Sequence, residues 1–209
     1  MPYPARAIPF DPRDFATHQS LQRISAFDKG GGPAARQTAI DYVVKAHAFS
    51  KDHTKSLLYT ATLNQPGRNI GGNIGIGPPA FDQDLAWLAG VVFHELVHSP
   101  QHAYYVSKGL APIDPKRSET ERRLIALDEY EAYSWSLKRR AELALSQAQQ
   151  VEIRRRAALA LIDLDEPKAQ NLARGQRFDA ARDELIRQYS ATGNRTAIPP
   201  RGPSACCSV

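Results

Sequence analysis

Little in this chain could staple it or fix it in a membrane. Its two cysteines, Cys206 and Cys207, are adjacent and close to the end of 209 residues. Neighbouring cysteines rarely bond to each other, so no disulfide framework is expected. No run of about 18 apolar residues occurs, and the Pro-rich start over residues 1–12 lacks the apolar stretch of a signal peptide. The expected location is therefore cytoplasmic, or outside the cell by a signal-peptide-independent export route of the kind effectors use. A dominant charge is missing too: 27 Lys and Arg face 22 Asp and Glu, and both signs are spread along the whole length. A nucleic-acid binder concentrates its positive charge, so no nucleic-acid partner is expected.

What is present is ordinary globular composition. With 42% hydrophobic and 23% charged residues, a chain of this length can bury a sizeable core. The expectation is a single domain over residues 1–189, monomeric, followed by a flexible tail over 190–209. Within the domain, Phe15, Leu21, Ile24 and Phe27 recur at helical spacing up to the glycines at 30–32. A second helix is expected over 34–49. Residues 56–63 read as a short strand, Asn64-Gln-Pro-Gly67 as a turn, and the glycine-rich run 69–77 as its antiparallel hairpin partner. Glycines in a strand signal close approach by another backbone. The run has neither G-x-G-x-x-G spacing nor a P-loop lysine, so it is no phosphate cradle.

Leu85, Leu88, Val91, Val92, Leu96 and Val97 then define a helix buried on most of its surface, which Pro100 is expected to end. Ser118 with Glu121 makes a capping box for a long helix through about Leu145. Two more amphipathic, Arg-rich helices follow over 147–164 and 167–189. The class is α+β, mostly helical, with a small antiparallel sheet and a C-terminal helical layer.

Three of the six histidines fall within residues 94–102. His94 and His98 are one helical turn apart, about 40° in azimuth and roughly 6 Å along the axis, so their imidazoles can converge on one metal ion. Glu95 leaves from nearly the same edge and reaches a water on that ion. His18, His47 and His53 are scattered and read as ordinary residues.

His94-Glu95-Leu96-Val97-His98 resembles the H-E-x-x-H motif of the zincin metallopeptidases. The resemblance, which covers about residues 70–145, implies Zn²⁺ as cofactor, Glu95 as general base, and a third ligand from elsewhere. His102 lies too close to His98 for the metzincin spacing, and Pro100 stands where that family turns its chain with glycine. The segment 128–134 is similar to the gluzincin pattern E-x-x-A/S-D, whose first Glu is the third ligand. Glu129 with Ala132 matches best, with Tyr133 in place of the pattern's Asp. Glu131 with Ser134 is the shifted match, with Trp135 in that place.

The expected function is zinc-dependent hydrolysis of peptide bonds in a protein or peptide substrate. The strand residues Asn73, Ile74, Gly75, Ile76 and Gly77 are candidates to pair with substrate backbone. Tyr104, Tyr105 and Tyr133 are candidates to stabilise the oxyanion. A different class remains open: an inactive, metal-stabilised module docking an acidic partner through the Arg-rich helices around Arg154, Arg155 and Arg156. Cys206 occupies the C-a-a-X prenylation position, with Ser208 where an aliphatic residue belongs, a weak signal for lipid anchoring.

Overall fold

The computed structural model describes residues 32–110, 113 and 118–191. The helix expected over residues 15–27, the Pro-rich start and Cys206 lie outside the described residues. Pro33 opens helix α1 (Pro33–Ala46) where a missing N–H forfeits no bond, and Ala39, Ile40, Val43 and Val44 form its buried face.

Three strands follow: β1 (Ser56–Tyr59), β2 (Gly67–Ile70) and β3 (Asn73–Ile76). They form one sheet in the order β1-β3-β2, with β1 parallel and β2 antiparallel to β3. The sheet is thus mixed, not purely antiparallel as expected. The glycine-rich run does not form one strand; it folds on itself at Gly71 and Gly72, whose φ of 61° and 86° suit the two-residue turn of a tight hairpin. The hairpin partner of β3 is therefore β2, and β1 joins from the other side.

That arrangement also corrects the role assigned to Asn73, Ile74, Gly75, Ile76 and Gly77. The β3 strand is central and hydrogen-bonded on both edges, so it has no edge to offer a substrate. At Gly77, just past the strand, the backbone that approaches is the chain's own: a Cβ there would stand 2.2 Å from the Gln65 carbonyl oxygen.

A short 3-10 turn, Pro78–Phe81, leads to helix α2 (Leu85–Ser107), capped by the Asp84 carboxylate accepting from the Trp87 N–H at 2.8 Å. The helix runs through Pro100 instead of ending there. Proline removes one internal hydrogen bond. Burial on both sides of it offsets that loss, since Val97, Ser99, Gln101 and Tyr105 are all inside.

Helix α3 (Glu119–Lys138) starts at Ser118, whose hydroxyl accepts from the Glu121 N–H. It ends seven residues before Leu145, and the intervening turn tucks Leu143 and Leu145 back into the core. Helices α4 (Gln147–Leu164), α5 (Pro167–Arg174) and α6 (Phe178–Ala191) complete the C-terminal layer. The reciprocal capping box is at Ser146 and Gln149, opening α4. The single helix expected over 167–189 is broken near Gln176, which has a φ of 57°. Ser190 and Ala191, placed in the tail by sequence, continue α6.

Two apolar clusters make the interior. One gathers α1, β3, the 3-10 turn and the first half of α2. The other gathers Tyr105, Leu124, Leu127, Leu164, Phe178 and Leu185. Helix α3 serves both, giving Leu124 and Leu127 to the second and Ala132 to the first. His98 and Gln101 of α2 meet α3 at this seam.

Candidate metal centre

Helical spacing puts His94 and His98 on one edge of α2, and α3 brings Glu129 to face them. The two Nε2 atoms are 3.1 Å apart. Glu129 Oε2 is 3.2 Å from His94 Nε2, and its Oε1 is 3.4 Å from His98 Nε2. Donors about 2.0–2.1 Å from a tetrahedral zinc lie about 3.3–3.4 Å from one another; the histidine nitrogens and the Glu129 carboxylate are spaced on that scale, with a different carboxylate oxygen toward each ring. Among the described residues they form the one group of three such donors. The Glu129 side chain is 36% exposed, which leaves a path for water to a fourth position.

The electrostatics are those of a partly buried ion cluster. Burial disfavours charge on His98, but the hydrogen-bonded Glu129 carboxylate outweighs it and the imidazole is pushed up to about 10. Burial acts on Glu129 as well; His94 and His98 overcome it and hold the carboxyl well below its usual range. Glu95 is raised, because burial outweighs the attraction of the same two histidines. A carboxyl with raised affinity for a proton is suited to accept one.

Strand β2 holds Glu95 in place. The Asn69 amide donates to the Glu95 carbonyl oxygen at 2.8 Å and to Ser99 Oγ at 2.9 Å, tying β2 to α2. Gly67 stands directly against the Glu95 side chain.

The histidines are oriented differently from each other. His98 Nδ1 lies 2.6 Å from Gln101 Oε1. His94 Nδ1 is buried with no hydrogen-bond partner. The Tyr133 ring packs against His94 with centroids 4.5 Å apart.

The other candidates are placed as follows. His102 is outside the group, beside Gly71, with its pKa lowered by burial and then by Lys55. Glu131, read from sequence as the runner-up ligand, is buried and binds Arg182, Gln101 and Trp135, whose indole N–H donates to it at 3.2 Å. Asp128 joins the same Arg182. Tyr104 donates to Asp183 and Tyr105 to Asp128, away from the three donors. Only Tyr133 of the three tyrosines is at the site; burial and then Glu129 push it up to about 12, while a hydrogen bond from Arg156 pulls the other way. Arg155 and Arg156 both pair with Glu152 within α4.

Sequence reasoning missed Gly67, Asn69, Gln101 and Arg182. Gln101 follows His98 by three residues, a helical neighbour hidden by reading Pro100 as a stop. Comparison of the chain with protein-family models, curated proteins and solved structures finds no match.

Proposed function

We propose that the chain is a zinc-dependent metallopeptidase of gluzincin-like type, with His94, His98 and Glu129 as ligands. The observation that carries this is the convergence of the three side chains: the two Nε2 atoms are 3.1 Å apart and the Glu129 carboxylate reaches them at 3.2 and 3.4 Å, through one oxygen each, on the scale of donor separations around zinc. The resemblance of residues 94–98 to H-E-x-x-H points the same way.

A bound zinc would supply Lewis acidity towards a carbonyl oxygen and lower the pKa of a water molecule. Glu95 takes the proton from the attacking water on its carboxylate and delivers it to the leaving amine. The Tyr133 hydroxyl donates to the oxygen on which negative charge develops. Substrate backbone pairs along β2, not β3. In the two-residue hairpin, Ile70 with Asn73 and Arg68 with Gly75 exchange the hydrogen bonds, so the backbone groups of Gly67 and Asn69 face the open edge. That edge adjoins Glu95.

The test is Glu95→Gln, which keeps size and hydrogen bonding but cannot accept a proton. Zinc content should remain about one per chain while new N-termini, scored across the proteome of cells expressing the protein, disappear. A wild-type protein that binds no zinc after reconstitution, or N-terminal profiles identical between wild type and variant, would count against peptidase activity.

A further inference from the structure

Side-chain amides have two faces, and at Gln101 the surroundings decide which is which. Its Nε2 lies 2.8 Å from Glu131 Oε2 and 3.2 Å from the Asp128 carbonyl oxygen, and neither atom can donate. Both amide hydrogens are thereby used, and Oε1 faces His98 Nδ1 at 2.6 Å. An amide oxygen only accepts, so Nδ1 carries a hydrogen, and Nε2, which faces Glu129 and His94, is the nitrogen left to give a lone pair to a metal ion once its own proton is lost.

The carboxylates that hold Gln101 are themselves fixed from α6. Arg182, 2% exposed, donates through Nε and Nη2 to Asp128 Oδ1 at 3.0 and 2.7 Å, and through Nη2 to Glu131 Oε2. Tyr105 adds a bond to Asp128 at 2.9 Å. One buried guanidinium thus faces two buried carboxylates. The excess of negative charge lies on the amide's hydrogen side, where it polarises the group and makes Oε1 a stronger acceptor.

We infer that Gln101 is a positioning residue of the metal centre: it fixes the ring orientation and tautomer of His98 and couples that ligand to the Arg182–Asp128–Glu131 cluster on α3 and α6. The inference rests on the ligand set proposed above. Here a neutral carboxamide occupies the place next to a ligand histidine, and the charge stands one bond further back. Outer partners of this kind commonly affect metal affinity by about 10–100-fold.

The experiment uses the full chain and zinc alone as probe. Gln101→Met keeps length and apolar packing but offers no acceptor comparable to the amide; chelator competition should show zinc affinity lowered about 10–100-fold. Cobalt substitution should show a changed ligand-field spectrum, and circular dichroism an intact fold. His94→Ala serves as reference. If His94→Ala binds zinc as tightly as wild type, the ligand set is wrong. If His94→Ala loses zinc while Gln101→Met retains wild-type affinity and spectrum, the ligand set stands and the inference on Gln101 falls. Should Gln101→Met fail to fold, nitrogen-15 NMR of the zinc-loaded wild-type protein decides: a hydrogen on His98 Nδ1 supports the inference, and one on Nε2 with Nδ1 free of hydrogen overturns it.

Discussion

Gly67 and Glu95 share one small space: a methyl group at residue 67 would lie 2.6 Å from both Cγ and Oε1 of the glutamate. The obstacle is the Glu95 side chain from Cγ to Oε1, not backbone, so Gly67→Ala can fold by turning Glu95 aside. Stability is expected to change by about 1 kcal/mol or less, the range of a Gly-to-Ala exchange in a strand. Zinc affinity should be unchanged. Hydrolysis should fall by about 10²-fold, since a shift of about 1 Å in a catalytic group has that effect. Urea unfolding, chelator competition and a peptide-cleavage assay separate the three quantities, and full activity in the alanine variant would show that Glu95 is not held by this contact.

The two glutamates of α3 should respond to truncation in different ways. Glu129 has its ion contacts with His94 and His98, so Glu129→Ala is expected to lower zinc affinity by orders of magnitude while the metal-free fold persists. With Glu129 as the ligand, a residue two positions on turns about 160° away on a helix, which from sequence alone points Glu131 to solvent. It is in fact 8% exposed and bonded to Gln101, Trp135 and Arg182. Arg182 keeps Asp128 after its loss, so the charge stays compensated and the cost is that of broken buried hydrogen bonds, about 1–3 kcal/mol. Denaturant unfolding of both metal-free variants checks the contrast. A larger zinc defect in Glu131→Ala than in Glu129→Ala would transfer the ligand role.

Tyr133→Phe removes a hydroxyl and keeps the ring that packs on His94. Zinc affinity and KM should therefore stay near wild type while kcat drops, by about 10²–10³-fold if the hydroxyl is the principal donor to the oxyanion. Unchanged kcat would remove Tyr133 from that role and direct attention to Arg156.

How much of this was visible in the sequence depends on how far apart the cooperating residues lie. His94, Glu95 and His98 are legible as a cluster because one helical turn brings them together, and Glu129, singled out by resemblance, is the acid that α3 brings to the two histidines. Local rules failed where a nonlocal contact overrode them. Pro100 is a helix stop by propensity, but the burial of Ser99 and Gln101 against neighbouring elements carries α2 past it. The paired glycines 71 and 72 are visible as turn formers; that the hairpin they close would place β3 between two strands is not. Arg182 lies 54 positions from Asp128 in the chain, and no periodicity links them.

Helix α3 crosses the seam between the two apolar clusters, and the metal donors meet at that seam. An ion shared by His98 and Glu129 would close a covalent-like loop of roughly thirty residues, worth about 3–4 kcal/mol on the loop-entropy scale used for disulfides. In a chain whose two cysteines sit at 206 and 207, coordination chemistry would then be the cross-link. Withdrawal of the ion would leave both clusters packed, but free the junction between α2 and α3 to breathe.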